Sequence, residues 1–380
     1  MTEIVIVGAG PAGLAVAACL QREGKKVRVL EKGDRIALRW YNHYDRLHLH
    51  TAREYSGLPF HPIPDETPRY PRREDMIDYL EAYADEERIK PEFGVEVKRI
   101  AREDGRWSLW TSKGPIHADF VVIASGFNSQ PERPYLPGEE TFPGTIIHSS
   151  EYRNAGPFEN QRALILGFGN SGADIAVDLA EGEGIPTLSI RGPVQVIPRD
   201  VMGIPAQRFV QIMSKMPQKL MNGVISSASF ARFGTLKRYG LTRSKRSVVT
   251  MVSEDNRIPV IDVGVMSHLR RGSITVRPGV DRIDGDLVRF SDGTTASYDA
   301  IILATGFRDG LERIVEVPEA RMAVLRDPRR NRAQFGEDGL YSCGLSVSIY
   351  GMLYEINREA PLIAKDIAAR SASDARSIAS

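Results

Sequence analysis

The chain has 380 residues, 42% hydrophobic and 26% charged, with a formal net charge of +1. That is enough for two cores of ordinary size, and it gives no global pull toward nucleic acid or another polyanion. The two cysteines, Cys19 and Cys343, stand far apart in no CxxC arrangement, which excludes a local redox-active disulfide and a cysteine-rich zinc site. No apolar run approaches the ~18 residues of a membrane span, and the chain opens directly into a strand pattern without a basic leader, so a cytoplasmic location is expected.

The first element group is "EIVIVGAGPAGLAVAACLQREGKKVRVLEKG". It reads as strand Ile4–Val7, a glycine turn, a helix with apolar positions from Leu14 to Leu20, and a second strand, which is the βαβ unit of a dinucleotide-binding fold. Gly8 allows the tight turn, Gly10 lets backbone approach a pyrophosphate, and Gly13 lets helix and strand pack; Pro11 and Ala12 open the helix whose N–H groups would face the phosphates. Glu31, followed by Lys32, ends the second strand, where a carboxylate accepts from ribose hydroxyls and repels a 2′-phosphate. A helix is expected over Arg73–Arg88, with Met76, Ile77, Leu80 and Tyr83 on one core-facing stripe. Strands joined by a DG turn follow and lead to "DFVVIASGF", Asp119–Phe127.

The whole series then recurs. "RALILGFGNSGADIAVDLAEGEGIPTLSIRG" repeats strand, glycine turn, helix to about Glu181 and strand Thr187–Arg191, with Gly167, Gly169 and Gly172 at the matching places and Asn170 and Ser171 in the turn. A second meander leads to "DAIILATGF", Asp299–Phe307, which matches the first closing strand in residue type. The repetition is a stronger signal than either glycine motif alone. In the second copy Arg191 replaces the acid, and a guanidinium pairs bidentately with a 2′-phosphate. The expected cofactors are therefore FAD at the first site and NADPH at the second, in a flavin-dependent oxidoreductase.

Between the modules lies "FPGTIIHSSEYRNAGP". Its Phe142, Gly144, His148, Tyr152, Arg153 and Pro157 resemble the fingerprint of class B flavin-dependent monooxygenases. "GFGNSGADIA" and "LATGF" resemble that family's NADPH and LATGY motifs, with Phe307 in place of Tyr. Four further stretches, "YDRLHLH", "YPRREDMIDYLEAYA", "IRGPVQVIPRD" and "PVIDVGVMSHLRRG", are similar to the YUCCA branch of the flavin-containing monooxygenases. The resemblance covers most of the chain and is weakest in the middle insertion and at "GLSVSIYGMLYEINREAP".

The resemblance implies an α/β fold of two Rossmann-like domains with β-meanders. It places an FAD domain at 1–150 and 295–380 and an NADPH domain at 158–294, with a helical cap at 201–253. It implies an NADPH- and O2-dependent monooxygenase working through a flavin C4a-(hydro)peroxide on a small organic substrate. A 2-oxo acid such as indole-3-pyruvate, oxidatively decarboxylated, is the leading substrate class; N- or S-oxygenation and an electron-transfer reductase are the alternatives. Arg39 and Trp40 in "ALRW", with Thr305 and Gly306 in "LATGF", join the cofactor-binding candidates, and His50 and Asn128 are the catalytic candidates. His50 stands where many members have Asn beside the flavin, and a strand in which His48 and His50 merely line a wall is the alternative. No third ligand points to a metal. His148 and Tyr152 are expected on the connector between modules, keeping two cofactors in register rather than transferring protons.

The stretch 201–253 contains no Asp or Glu but carries Arg208, Lys215, Lys219, Arg232, Lys237, Arg238, Arg243, Lys245 and Arg246. As a cap it would steer an anionic substrate; peripheral contact with a membrane surface is the less favoured reading. The loop at Arg329 reads as exposed, and the tail "SASDARSIAS" as frayed. Expected partners are a small-molecule substrate and O2, with no nucleic acid; a homodimer is left open.

Overall fold

The computed structural model describes residues 2–213, 217–254, 257–327, 335–346 and 348–379. Lys215, Arg329 and, in the stretch after the final strand, Val347 lie outside them. The chain forms two compact units, one of residues 1–41, 51–130 and 307–380, the other of 42–50 and 131–306.

The first unit is built on a parallel sheet in the order 340–342, 120–123, 4–7, 28–31, 92–93. Ile4–Val7 and Phe120–Ile123 are buried at every position, as expected of central strands covered on both faces. The helices Pro11–Arg22 and Met352–Ala379 pack on each other. An antiparallel meander over 97–118 carries the DG turn, with positive φ at both Asp104 and Gly105, as a two-residue primed turn requires. The helix after Tyr70 runs Arg73–Glu86 and buries Met76, Ile77, Leu80 and Tyr83.

The second unit repeats that plan strand for strand. Its parallel sheet runs 145–148, 300–303, 162–166, 185–189, 275–277, and a three-stranded meander occupies 280–297. The insertion contributes a hairpin at 200–205, the helices Ala206–Met213, Gln218–Phe233 and Val248–Ser253, and a 3-10 turn at Leu236–Tyr239. Phe233, Leu236 and Leu241 bury into the core of this unit beside Val194, Val196 and Val260.

Three expectations need correction. The units do not divide at 150, 158 and 295: Thr145–His148 pairs in register with Ala300–Leu303, so 131–150 and 295–306 belong with the second sheet, as does 42–50. The reason is already in the repeat, because "DAIILATGF" is the counterpart of the strand beside Ile4–Val7 and must lie beside Arg162–Leu166. The stretch Arg46–Thr51, for which a strand is the alternative reading, is irregular, with only an isolated bridge at His48. The terminal helix continues through Ala379 because no glycine or second proline follows Pro361 to end it.

The two copies even share their strand-start clamp. Asp119 accepts from the backbone N–H of Glu3 at 2.8 Å and Asp299 from that of Arg162 at 2.8 Å, and the reciprocal backbone bonds are 2.9 Å in both. The Arg162 guanidinium also pairs with Asp299 at 2.7 Å, and these contacts hold the Asp299 carboxyl down at about 2. A folded value below the unfolded one of about 3.9 stabilises fully above that pH and is lost as pH falls through the folded value. With the carboxylate 39% exposed, solvent screening limits the gain to about 1 kcal/mol. Asp299→Asn should therefore unfold at lower denaturant than wild type at neutral pH, the gap closing between about pH 4 and pH 2.

Candidate functional site

The two glycine turns have the same geometry. Gly8 and Gly167 have φ of 110° and 114°, and a Cβ on either would lie 2.5 Å from the Ala124 carbonyl oxygen or 2.4 Å from that of Ala304. A Cβ on Gly13 would lie 1.9 Å from the Gly8 carbonyl oxygen, and one on Gly172 2.4 Å from that of Gly167. These four glycines are required by the protein's own atoms. Gly10 (φ −83°, ψ −175°) and Gly169 (φ −95°, ψ −173°) are not: any residue adopts that backbone, and a Cβ there meets nothing within 4 Å. Each of these two is the N-cap of a twelve-residue helix with no side-chain cap. The open space therefore faces uncapped N–H groups, a fit for a pyrophosphate.

In the first unit Glu31 closes the strand beside this turn. Its carboxylate accepts from Ala9 N–H at 2.9 Å and Gly33 N–H at 2.8 Å, so its remaining lone pairs point in a fixed direction. Lys32 is exposed. The "ALRW" turn is tied to the glycine turn by Ala37 N–H donating to Ala9 at 3.2 Å, and Trp40 N–H donates to Ala37 at 2.7 Å. Arg39 donates to the Asn128 carbonyl at 2.8 Å and lies over the Phe307 ring at 4.9 Å, so Arg39, Asn128 and Phe307 converge. Ser125 and Ser346 follow the two strands on one side of Ile4–Val7. Their hydroxyls are buried with no hydrogen-bond partner among the described residues. Sequence reasoning missed both; lone serines after strands carry no spacing signal.

In the second unit Arg191 stands two residues past the strand Ile185–Ser189, exposed, its stem against Gly279, where a Cβ would lie 2.8 Å from the arginine Cγ. Asn170 is partly committed, its Oδ1 accepting from Ile261 N–H at 2.8 Å, which clamps the strand Val260–Asp262 to the helix start. Ser171 stands beside it in the first turn of the helix Asn170–Glu181. The Thr305 hydroxyl donates to the Glu132 carbonyl, and the Gly306 carbonyl accepts from Glu132 N–H at 2.9 Å.

The Phe142–Pro157 pattern is not a free connector, because its middle is the edge strand of the second sheet. Phe142 is buried with Leu164, Leu166, Ile301 and Leu303, and a Cβ on Gly144 would lie 2.1 Å from the Asp299 carbonyl oxygen. The Ser150 N–H donates to His148 Nδ1 at 3.1 Å, so the ring proton sits on Nε2 and is donated to the Gly306 carbonyl at 3.1 Å. Arg153 donates to the Ser150 and Tyr152 carbonyls, and Pro157 lies in a 3-10 turn at Gly156–Phe158.

The helix Asn170–Glu181 carries acids at Asp174, Asp178 and Glu181, one stripe at helical spacing. Tyr44 donates to Asp174 at 2.9 Å, Tyr152 to Asp178 at 2.6 Å, and Arg46 pairs with Glu181. Burial first, then the adjacent carboxylate, pushes both phenols up, and burial raises Asp178. His50 joins this row with Nε2 3.6 Å from Asp174 Oδ2; its carbonyl accepts from Gln207 at 3.2 Å, and its Nδ1 is buried without a partner among the described residues. The catalytic candidates His50 and Asn128 belong to different units.

The family pattern of pyridine nucleotide-disulphide oxidoreductases matches residues 5–203, just over half of the chain. Disulfide chemistry has no cysteine pair to use: both thiols are buried, Cys19 pushed up by burial to about 12 and Cys343 well above its ordinary value. The fold is that of flavin monooxygenases. A flavin-containing monooxygenase from Stenotrophomonas maltophilia superposes with a TM-score of 0.70 at 19% identity, covering 98% of this chain and 100% of that one. Cyclohexanone monooxygenase from Rhodococcus sp. Phi1, solved bound to NADP+, gives 0.75 at 17%, covering 97% and 84%. In sequence, indole-3-pyruvate monooxygenase YUCCA1 of Oryza sativa subsp. japonica is 34% identical over 371 residues, 96% of this chain and 90% of the relative. A probable indole-3-pyruvate monooxygenase of Arabidopsis thaliana, YUCCA9, is 35% identical over 353 residues, 90% of this chain and 84% of the relative. The chain is thus an oxidoreductase, and it belongs to the YUCCA-type flavin-dependent monooxygenases.

The glycine geometry makes a differential prediction. Gly13→Ala and Gly172→Ala force helix and strand apart and should lose about 2–4 kcal/mol in denaturant unfolding. Gly10→Ala and Gly169→Ala, measured on the cofactor-free chain, should stay within about 1 kcal/mol of wild type; a large loss there would show that the open space is not open.

Proposed function

We propose that the first unit holds FAD and the second NADPH, and that the protein uses O2 to oxidatively decarboxylate a small 2-oxo acid of the indole-3-pyruvate type. The observation that carries the reading is the contrast inside the repeat. Two turns of one geometry present Glu31 in one copy and Arg191 in the other, in a chain 34% identical over 96% of its length to a protein named for indole-3-pyruvate. FAD, when bound, supplies the hydride-accepting and oxygen-activating chemistry that no side chain can provide.

The chain's own residues bind, orient and exclude water. The N–H groups after Gly10 and Gly169 take the two pyrophosphates. Glu31, its orientation fixed by Ala9 and Gly33, accepts from the FAD ribose, while Ser125 and Ser346 have donors to give. Arg191 makes no hydrogen bond or ion pair among the described residues, so its guanidinium is available to the 2′-phosphate. Asn128, through its carbonyl, fixes Arg39 beside the first glycine turn. His50, whose Nδ1 is buried without a partner among the described residues and whose Nε2 faces Asp174 Oδ2 at 3.6 Å, is the side chain assigned to proton exchange. Glycine-turn and fingerprint residues position; they carry no proton to substrate.

With indole-3-pyruvate or phenylpyruvate, the purified holoenzyme should consume NADPH and O2 in step with CO2 release. Oxygenated amines or thioethers with no turnover of 2-oxo acids would overturn the substrate class. NADPH oxidation yielding only hydrogen peroxide with every candidate would overturn the monooxygenase reading for these substrates. Arg191→Ala should raise the KM for NADPH about 10- to 100-fold and leave that for NADH little changed, the loss of one charge-assisted phosphate contact.

A further inference from the structure

Among the described residues, six of the twelve large apolar side chains that remain exposed fall between 202 and 258. Met202, at 97% exposure, is the tip of the 200–205 hairpin with φ of 52°; Ile212 is 65% exposed on the helix Ala206–Met213, and Leu220 and Phe230 are 54% and 60% exposed on Gln218–Phe233. The opposite faces of these helices are spent, with Met213, Met221, Ser229 and Phe233 buried. A solvated helix face ordinarily carries charged and polar residues rather than large apolar ones. Here the outward stripe of Gln218–Phe233 reads Lys219, Leu220, Gly223, Ser226, Ser227, Phe230 and Ala231, all exposed and none acidic.

The charge on the same surface has one sign. No Asp or Glu occurs between 201 and 253. Arg208, Lys219, Arg232, Lys237 and Lys245 are exposed and make no ion pair among the described residues. Apolar side chains interleaved with unpaired cations, on short amphipathic helices and a hairpin tip, are complementary to an anionic bilayer surface: cations meet headgroups while the apolar tips enter the acyl boundary. A protein partner would have to be both acidic and apolar over the same face, and a second copy of the chain would bring cation against cation. No helix among the described residues is long and apolar enough to cross a membrane, so the contact is peripheral.

We infer that the 200–205 hairpin and the helices Ala206–Met213 and Gln218–Phe233 form a docking surface for anionic lipid bilayers. It is independent of the cofactor and substrate reading, because vesicle binding is measured without turnover. The FAD-loaded full chain should cosediment with vesicles of phosphatidylglycerol and phosphatidylcholine at moderate salt and bind pure phosphatidylcholine at least tenfold more weakly. Each cation near an anionic surface contributes about fivefold, so Arg208→Gln/Lys219→Gln/Arg232→Gln should reduce binding more than tenfold, as should raised salt. Met202→Ser/Ile212→Ser/Leu220→Ser/Phe230→Ser should do the same at unchanged flavin content and melting temperature. Leu362→Ser, which removes an apolar side chain 60% exposed on the terminal helix, should leave binding as it is. Absence of binding to anionic vesicles would overturn the inference. So would undiminished binding by both multiple variants, or a dimer in solution that the serine variant dissociates.

Discussion

The structure depends on one close approach made twice: helix backbone laid against strand backbone at Gly13 over Gly8 and at Gly172 over Gly167. A methyl group at either helix position would overlap a carbonyl oxygen. With the methyl absent, the helix starts flush with the ends of its parallel strands and its uncapped N–H groups open onto space that nothing among the described residues fills. Everything that distinguishes the two units is added around that shared contact. The acid or base after the second strand, the segment that supplies the fifth strand and the residues that close the turn all act on a scaffold fixed by glycine.

The fifth strand shows how one plan serves two ends of a chain. In the first sheet it is Leu340–Ser342, drawn from near the C-terminus; in the second it is Thr145–His148, drawn from the stretch before the module. Each places its outgoing residues beside the closing strand of its copy. In the second copy those residues are the fingerprint, and their bonds explain its composition. Gly144 is small because the Asp299 carbonyl is there, His148 is held to the Gly306 carbonyl, and Tyr152 reaches Asp178. The fingerprint is a folding element of the second unit, which is why its residue types are spread over sixteen positions rather than gathered at a reacting centre.

Much of this was legible in the sequence because it is local or repeated. The βαβ units, both meanders, the helix at Arg73 and the steric need for Gly8, Gly13, Gly167 and Gly172 follow from periodicity and turn chemistry over short spans. The domain boundaries are not legible in the same way, because Thr145 pairs with Ala300, 155 residues further on (300 − 145), and no local pattern announces it. The repeat holds the answer, since the two closing strands, Asp119–Phe127 and Asp299–Phe307, match in residue type. The acid row Asp174, Asp178 and Glu181 was missed because acids at helical spacing read first as a solvated face. What marked it was the apolar setting, "ADIAVDLAE", in which a solvated stripe has no room. Tyr44, Tyr152 and Arg46 fill that row, and through Tyr44 the segment 42–50 joins the second unit. His50 follows into the same unit, which no spacing rule could have placed.

The proposed function has one fold, duplicated within a chain, taking two different dinucleotides sorted by Glu31 and Arg191. Native mass spectrometry of the purified full chain with NADP+ added is the decisive measurement. One FAD and one NADP+ are expected on each chain, with NAD+ failing to replace the second at equal concentration. A chain that holds two identical dinucleotides, or only one of any kind at saturation, would contradict it.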